Sequence, residues 1–177
     1  MERKLQHFGR GWEEVMFRDQ HTTTLDGPQA YPGSRYGATS WLDSNTTVWI
    51  FGGKGYGIKK LTSAHIPIMD ELWSFDIKKR HWNYHPFDKE TGNKQKPPPC
   101  FGCVSCSYKN KAVMVGLSST FVFDMERKSW TVLPNHTASP PPRSHAAHWC
   151  DTERGVLWVF GGETSNKKLD DFLEVFI

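Results

Sequence analysis

The sequence contains no apolar run approaching the roughly 20 residues that cross a bilayer as a helix. Its opening, MERKLQHFGRGWEEV, also lacks the apolar stretch of a secretory leader. The expectation is a chain that neither spans a membrane nor leaves the cell by the usual route, which tilts the location towards the cytoplasm. No segment sustains a 3.6-residue apolar period, so little or no helix is expected. Charge of one sign is scarce as well: 22 Lys and Arg stand against 19 Asp and Glu. A net charge of +3 gives no reason to expect a nucleic-acid or membrane-surface partner. Cysteine occurs only four times, at 100, 103, 106 and 150, too sparsely for the disulfide scaffold of a small secreted domain. Ser-His-Asp order, HExxH and paired carboxylates are missing, and GGKGYG lacks the Lys-Ser/Thr of a phosphate loop. No catalytic residue, metal or cofactor is expected. What the chain has in plenty is aromatic side chains, 14% of its 177 residues with eight Trp, which excludes a disordered chain and suffices for a real core.

The chain repeats itself. RYGATSWLD (35–43), CFGCVSCSY (100–108) and RSHAAHWCD (143–151) lie in register, each followed by a short apolar run: TVWIFGG, AVMVGL and VLWVFGG. From the first residue of each segment to the first Gly of its run there are 17, 16 and 18 residues. ELWSFDIKKRHW (71–82) then matches STFVFDMERKSW (119–130), with Asp and Trp six residues apart in both, while DFLEVFI (171–177) stops where its own Asp-to-Trp stretch would begin. Gly11-Trp12 looks like the end of a preceding unit. The runs are rich in Trp, Val, Phe and Thr and bounded by polar turns, so each unit reads as four short strands, a to d. All-β architecture with four strands per repeat indicates propeller blades.

The Arg-x-Gly start, the Gly-Gly doublet after an apolar strand and the Trp six residues after Phe-Asp resemble kelch repeats, whose period is roughly 50 residues. Unit starts here are 65 and 43 residues apart. The resemblance implies an all-β, kelch-type β-propeller segment of four-stranded antiparallel blades, about two full and two partial. Residues 1–31 would carry the outer strand of a preceding blade, 32–87 repeat one, 88–99 a loop, 100–134 a divergent repeat two, and 135–177 repeat three without its outer strand. Blade two has Cys100 in place of Arg and Leu117 in place of the second Gly, and blade three has His145 where blade one has Gly37.

The motif residues have structural readings. Gly37, Gly52, Gly53, Gly161 and Gly162 supply positive φ and close approach between blades. Trp82 and Trp130 are expected to fill the wedge between blades. CFGCVSC has C-x2-C spacing, but alternation along a strand from 100 to 107 puts Cys103 opposite to Cys100 and Cys106, which favours structural thiols over a metal site. His145 and His148 likewise fall on opposite faces of one strand. Asn45 and Asn135 fit the glycosylation pattern.

In antiparallel blades the b–c and d–a connections share one face with the first residues of strand a. The long segments GGKGYGIKKLTSAHIPIMD (52–70), 85–99 and NHTASPPP (135–142) lie there, and recognition sits where long loops are held on a rigid scaffold. Arg35, Tyr36, Arg143 and Ser144 open strand a on that face and are the candidate partner-binding residues. Kelch propellers commonly use the matching Arg to line a ligand face, and its planar fork suits carboxylates; the alternative is that each Arg bonds loop carbonyls of its own blade. The expected function is a protein-interaction scaffold whose partner is another protein. The alternatives are a galactose-oxidase-like copper enzyme, which shares the propeller, and an extracellular adhesion or signalling module. Three blades fall short of the four to eight that close a ring. Either the chain is a fragment of a larger propeller, or two copies join head to tail into a six-bladed ring.

Overall fold

The computed structural model describes residues 15, 31–43, 46–57, 65–87, 95–133 and 140–177. Gly11-Trp12, Asn45 and Asn135 lie outside them. The described elements are all strands, β1 (Arg35–Tyr36), β2 (Thr39–Asp43), β3 (Thr47–Phe51), β4 (Lys54–Gly55), β5 (Leu72–Asp76), β6 (His81–His85), β7 (Val104–Tyr108), β8 (Lys111–Val115), β9 (Phe121–Asp124), β10 (Ser129–Val132), β11 (Ala147–Asp151), β12 (Val156–Phe160) and β13 (Phe172–Phe176). They form two four-stranded antiparallel meanders, β2-β3-β5-β6 and β7-β8-β9-β10, a three-stranded one, β11-β12-β13, and a short two-stranded ribbon, β1-β4. Among the described residues these are two four-stranded blades and a third with three strands. Their first strands lie side by side, so β2, β7 and β11 mark the inner end of each blade.

Polar turns close the hairpins by one device. The Asp76 carboxylate accepts from the amides of Lys78 and Lys79, and that of Asp124 from Glu126 and Arg127. Arg80 and Lys128 then adopt left-handed φ of 52° each, bringing the chain back in register. Phe75 pairs with Trp82 and Phe123 with Trp130 across the strands so joined.

Alternation along the strands gives each blade two apolar faces. Blade one turns Trp41, Trp49, Phe51 and Leu72 towards Phe123, Met114 and Trp130 of blade two, and these close one buried cluster. The other face of blade two, with Val104, Cys106, Val113 and Val115, meets Ala146, Leu157 and Val159 of blade three. Thr39 Oγ1 donates to Ser105 Oγ at 2.7 Å, and Ser105 Oγ donates to the Ser40 carbonyl, which pairs polar groups at the inner seam. At the end of β3 the Gly52 and Gly53 φ values of 70° and 91° let the chain turn against blade two, where Gly53 N donates to the Cys100 carbonyl. A Cβ on Gly52 would stand 2.5 Å from that carbonyl oxygen, so no side chain fits.

Two expectations about the cysteines and histidines are corrected. Strand β7 begins at Val104, and Gly102 at a φ of 70° turns the chain before it. Alternation therefore does not apply from 100 to 103, and Cys100 and Cys103 lie side by side, joined as a disulfide with Cα atoms 6.2 Å apart. Cys106 is joined to Cys150, linking the first strands of blades two and three. These are disulfides rather than structural thiols. His145 likewise precedes β11, at a φ of 57°, so it does not share a strand with His148.

His85 closes blade one against this seam. Its ring lies 4.7 Å from that of Trp49, and Nε2 is 2.8 Å from Ser74 Oγ. Burial, helped by the charge of Lys128, lowers its pKa from 6.5 to about 4. The unfolded chain therefore takes up this proton first as pH falls, and the folded state loses stability between pH 6.5 and 4. Unfolding midpoints in guanidinium across that window should show the loss, and His85→Gln should flatten it; an unchanged pH slope in the variant would refute the assignment.

Candidate functional site

Gly37, Gly102 and His145 occupy equivalent places just before the first strand of each blade, all with left-handed φ. Gly102 N donates to the Gly37 carbonyl at 2.8 Å and His145 N to the Gly102 carbonyl at 2.9 Å, so the three blades are stitched at their inner ends. Beside this ladder runs a row of rings. Tyr36 meets Phe101 edge-on at 5.1 Å, and Phe101 meets His145 at 4.8 Å. Phe101 lies directly over Gly37, where a Cβ would come within 2.4 Å of its ring. Tyr36 is 56% exposed.

The two candidate arginines point inward. Arg35 donates to the Pro32 and Gly52 carbonyls and to Glu71 at 2.8 Å. Glu71 also accepts from Trp73 Nε1. Arg143 donates to the Gly161 carbonyl and makes a two-pronged pair with Asp171 at 2.6 and 2.8 Å. Their side chains are 6% and 1% exposed. Each guanidinium therefore ties the start of its blade to the Gly-Gly turn and to an acid ahead of the third strand. Hydrogen bonds from Arg143 hold the Asp171 carboxyl below the usual carboxylate range. Blade two has Cys100 in place of Arg and Ser119 in place of the acid, so both halves of the pair are absent together.

Ser144 is half-buried and pairs with Glu163 through reciprocal backbone hydrogen bonds of 2.9 Å. It borders an open groove of about 500 Å³ between blades two and three, on the face of the b–c and d–a connections. Cys103, Leu117 and Arg143 contribute to its lining, with Phe101, Glu163 and Thr164 around the opening. The Glu163 carboxylate bonds Lys168 Nζ and lies 3.2 Å from His145 Nδ1. Lys168 foremost, then His145, holds the Glu163 carboxyl below its ordinary range. The groove thus sets Phe101 and Leu117 beside Ser144, Glu163 and Thr164, a lining of mixed polarity suited to a side chain or short segment of the same kind.

The structure brings Arg143 and Ser144 together at this groove and sets Tyr36 at the far end of the ring row, while Arg35 is enclosed within blade one. Trp130 is buried between blades, and Trp82, half-buried, rests on Phe75 at 4.9 Å. Phe101, Glu163 and Thr164 were missed. The signal for Phe101 was its place as the middle residue of a degenerate Arg-x-Gly triplet. Glu163 and Thr164 carry no such signal, because they immediately follow a Gly-Gly turn and match no residue type repeated in the other blades. Among the described residues no group of three or more His, Cys, Asp or Glu could hold a metal ion.

No protein-family model matches the chain, and the comparison with curated proteins finds no match. Solved structures do match in fold. One, entitled "Structure of YjhT", superposes with a TM-score of 0.62 at 15% sequence identity over 83% of this chain and 54% of that one. The chain thus spans about half the length of that structure. Antiparallel meanders radiating from adjacent inner strands, together with this likeness, make the chain a segment of a β-propeller.

Proposed function

We propose that this chain is part of a kelch-type propeller that works as a protein-interaction scaffold, receiving its partner on the face of the b–c and d–a connections. The observation that carries the reading is the groove of about 500 Å³ on that face, bordered by the half-buried Phe101 and by Glu163, whose carboxylate meets Lys168 and His145, and set beside the hydrogen-bonded inner ladder. The Arg-x-Gly, Gly-Gly and Phe-Asp…Trp pattern supports the kelch assignment. Tyr36 and Ser144 are the contact residues within reach of solvent. Arg35 and Arg143 act through them by fixing the backbone on which they stand.

Cross-linked captures from cell extract should contain a protein held by the wild-type chain, lost with Ser144→Arg and weakened with Tyr36→Ala, yet kept by Lys79→Glu on the opposite face. Partners retained by Ser144→Arg and lost by Lys79→Glu would place recognition on the other side and overturn the reading.

A further inference from the structure

Blade two secures its inner end differently from its neighbours. Blades one and three open with Arg35 and Arg143, each with an alanine three residues on, Ala38 and Ala146. Blade two has Cys100 and Cys103 at those two places, joined as a disulfide. Each Arg bonds the carbonyl of the first Gly in its Gly-Gly turn, Gly52 or Gly161. Gly116 is the counterpart in blade two, and a Cβ there would stand 3.2 Å from Cys103 Sγ. The disulfide thus stands where the other blades have a guanidinium clamp.

The bond encloses two residues of the inner seam. Phe101 rests on Gly37 and borders the groove. Gly102 N donates to the Gly37 carbonyl, and the Gly102 carbonyl accepts from His145 N. Cys103 contributes to the groove lining, so a small thiol can reach its sulfur from that side, while Cys100 is enclosed. The second disulfide differs in reach: Cys106 and Cys150 are 44 residues apart and join two blades, against a separation of 3 for Cys100 and Cys103. A cross-link closing a long loop constrains the unfolded chain far more than one closing a short loop. Opening Cys106–Cys150 therefore weakens the whole fold, whereas opening Cys100–Cys103 leaves global stability nearly unchanged.

We propose that Cys100–Cys103 is a thiol–disulfide exchange site, which a dithiol opens in the folded chain, freeing Phe101 and Gly102 from the inner ladder. One thiolate of the dithiol attacks Cys103 Sγ, and the Cys100 sulfur leaves with the electron pair and takes up a proton. The second reagent thiol then displaces Cys103, which is protonated in turn. The protein gains two electrons and two protons, and the reagent closes into a cyclic disulfide. The consequence for recognition, a looser groove edge, rests on the loop-face reading; the exchange itself does not.

The test equilibrates the full 177-residue chain with dithiothreitol and its oxidised form at graded ratios. Hydrogen exchange is followed on the untrapped chain, and free thiols in a parallel sample are trapped with N-ethylmaleimide and mapped by mass. Cys100 and Cys103 should become labelled together. Exchange at the Gly102 and His145 amides should speed by about tenfold, the weight of one backbone hydrogen bond, while the Val156–Phe160 amides stay protected. Cys100→Ser combined with Cys103→Ser should exchange fast at both amides with or without dithiol, which separates this pair from Cys106–Cys150. Labelling only once Val156–Phe160 loses protection, or labelling with the Gly102 and His145 amides unchanged, would overturn the proposal. So would slow exchange, or protection lost throughout, in the double variant. No partner enters the measurement, so its failure leaves the loop-face reading standing.

Discussion

Trp130→Ala is expected to cost about 3–5 kcal/mol of folding free energy, a large part of the 5–15 kcal/mol that holds a typical domain together. The indole is 5% exposed and touches three rings at once: Phe123 at 4.8 Å, Phe51 at 5.3 Å and Trp41 at 6.0 Å. It sits on β10, at the outer edge of blade two, yet two of those rings belong to blade one. Truncation therefore opens a cavity between blades as well as removing transfer energy. Cβ-branched neighbours that could slide into the gap are few, because the wall is made of stiff aromatic rings. Guanidinium unfolding should show a lower midpoint and, if the blades separate, a second transition that the wild type lacks. Trp82→Ala makes the comparison sharp. Its residue holds the same register opposite Phe75 but is only half-buried, so a markedly smaller loss is expected. Equal losses at the two positions would show that the inter-blade contact contributes nothing beyond local pairing.

That comparison also shows how far the sequence can be read. Asp76 to Trp82 and Asp124 to Trp130 share one spacing because a tight turn begun by an Asp carboxylate allows only one register across the hairpin, so the blades could be placed from the chain alone. The Gly-Gly doublets were legible for the same reason: a neighbouring carbonyl leaves no space for a Cβ at Gly52. The direction of the arginines was not legible. Arg35 opens its blade on the face of the b–c and d–a connections, and only its partner, 36 residues away at Glu71, turns the guanidinium inward. The cysteines misled because alternation was carried through Gly102, whose left-handed backbone breaks it. The groove rim at Glu163 stayed hidden because side chains from two blades meet there, and one repeat says nothing about where its neighbour's loop ends.

Arg35→Ala is expected to be about as damaging as loss of the inter-blade tryptophan, at about 3–5 kcal/mol, while Arg143→Ala should cost clearly less. Both arginines bond a Gly-Gly carbonyl and an acid, Arg35 with a further bond to the Pro32 carbonyl and Arg143 with a second prong on its acid, and the main difference comes from the acids they leave behind. The Glu71 side chain is 10% exposed, and without Arg35 a buried carboxylate loses its cation. Asp171 is 37% exposed, so water takes over much of what Arg143 supplied. Replacing both Arg35 and Glu71 by Met removes cation and anion together and should recover most of the loss, because well-packed apolar side chains often substitute for a buried pair without penalty. The Arg143–Asp171 pair adds a pH signature. Because the Asp171 carboxyl is held below its ordinary 3.8, the pair stabilises the fold at neutral pH and fades as acid protonates the folded carboxylate. The gap in unfolding midpoint between wild type and Arg143→Ala should be full at pH 7 and shrink below pH 3.8. If the gap persists unchanged in acid, the contribution of Arg143 comes from its bond to the Gly161 carbonyl rather than from the ion pair. If Arg143→Ala proves the more costly of the two single substitutions, burial of the orphaned acid is not what sets the scale.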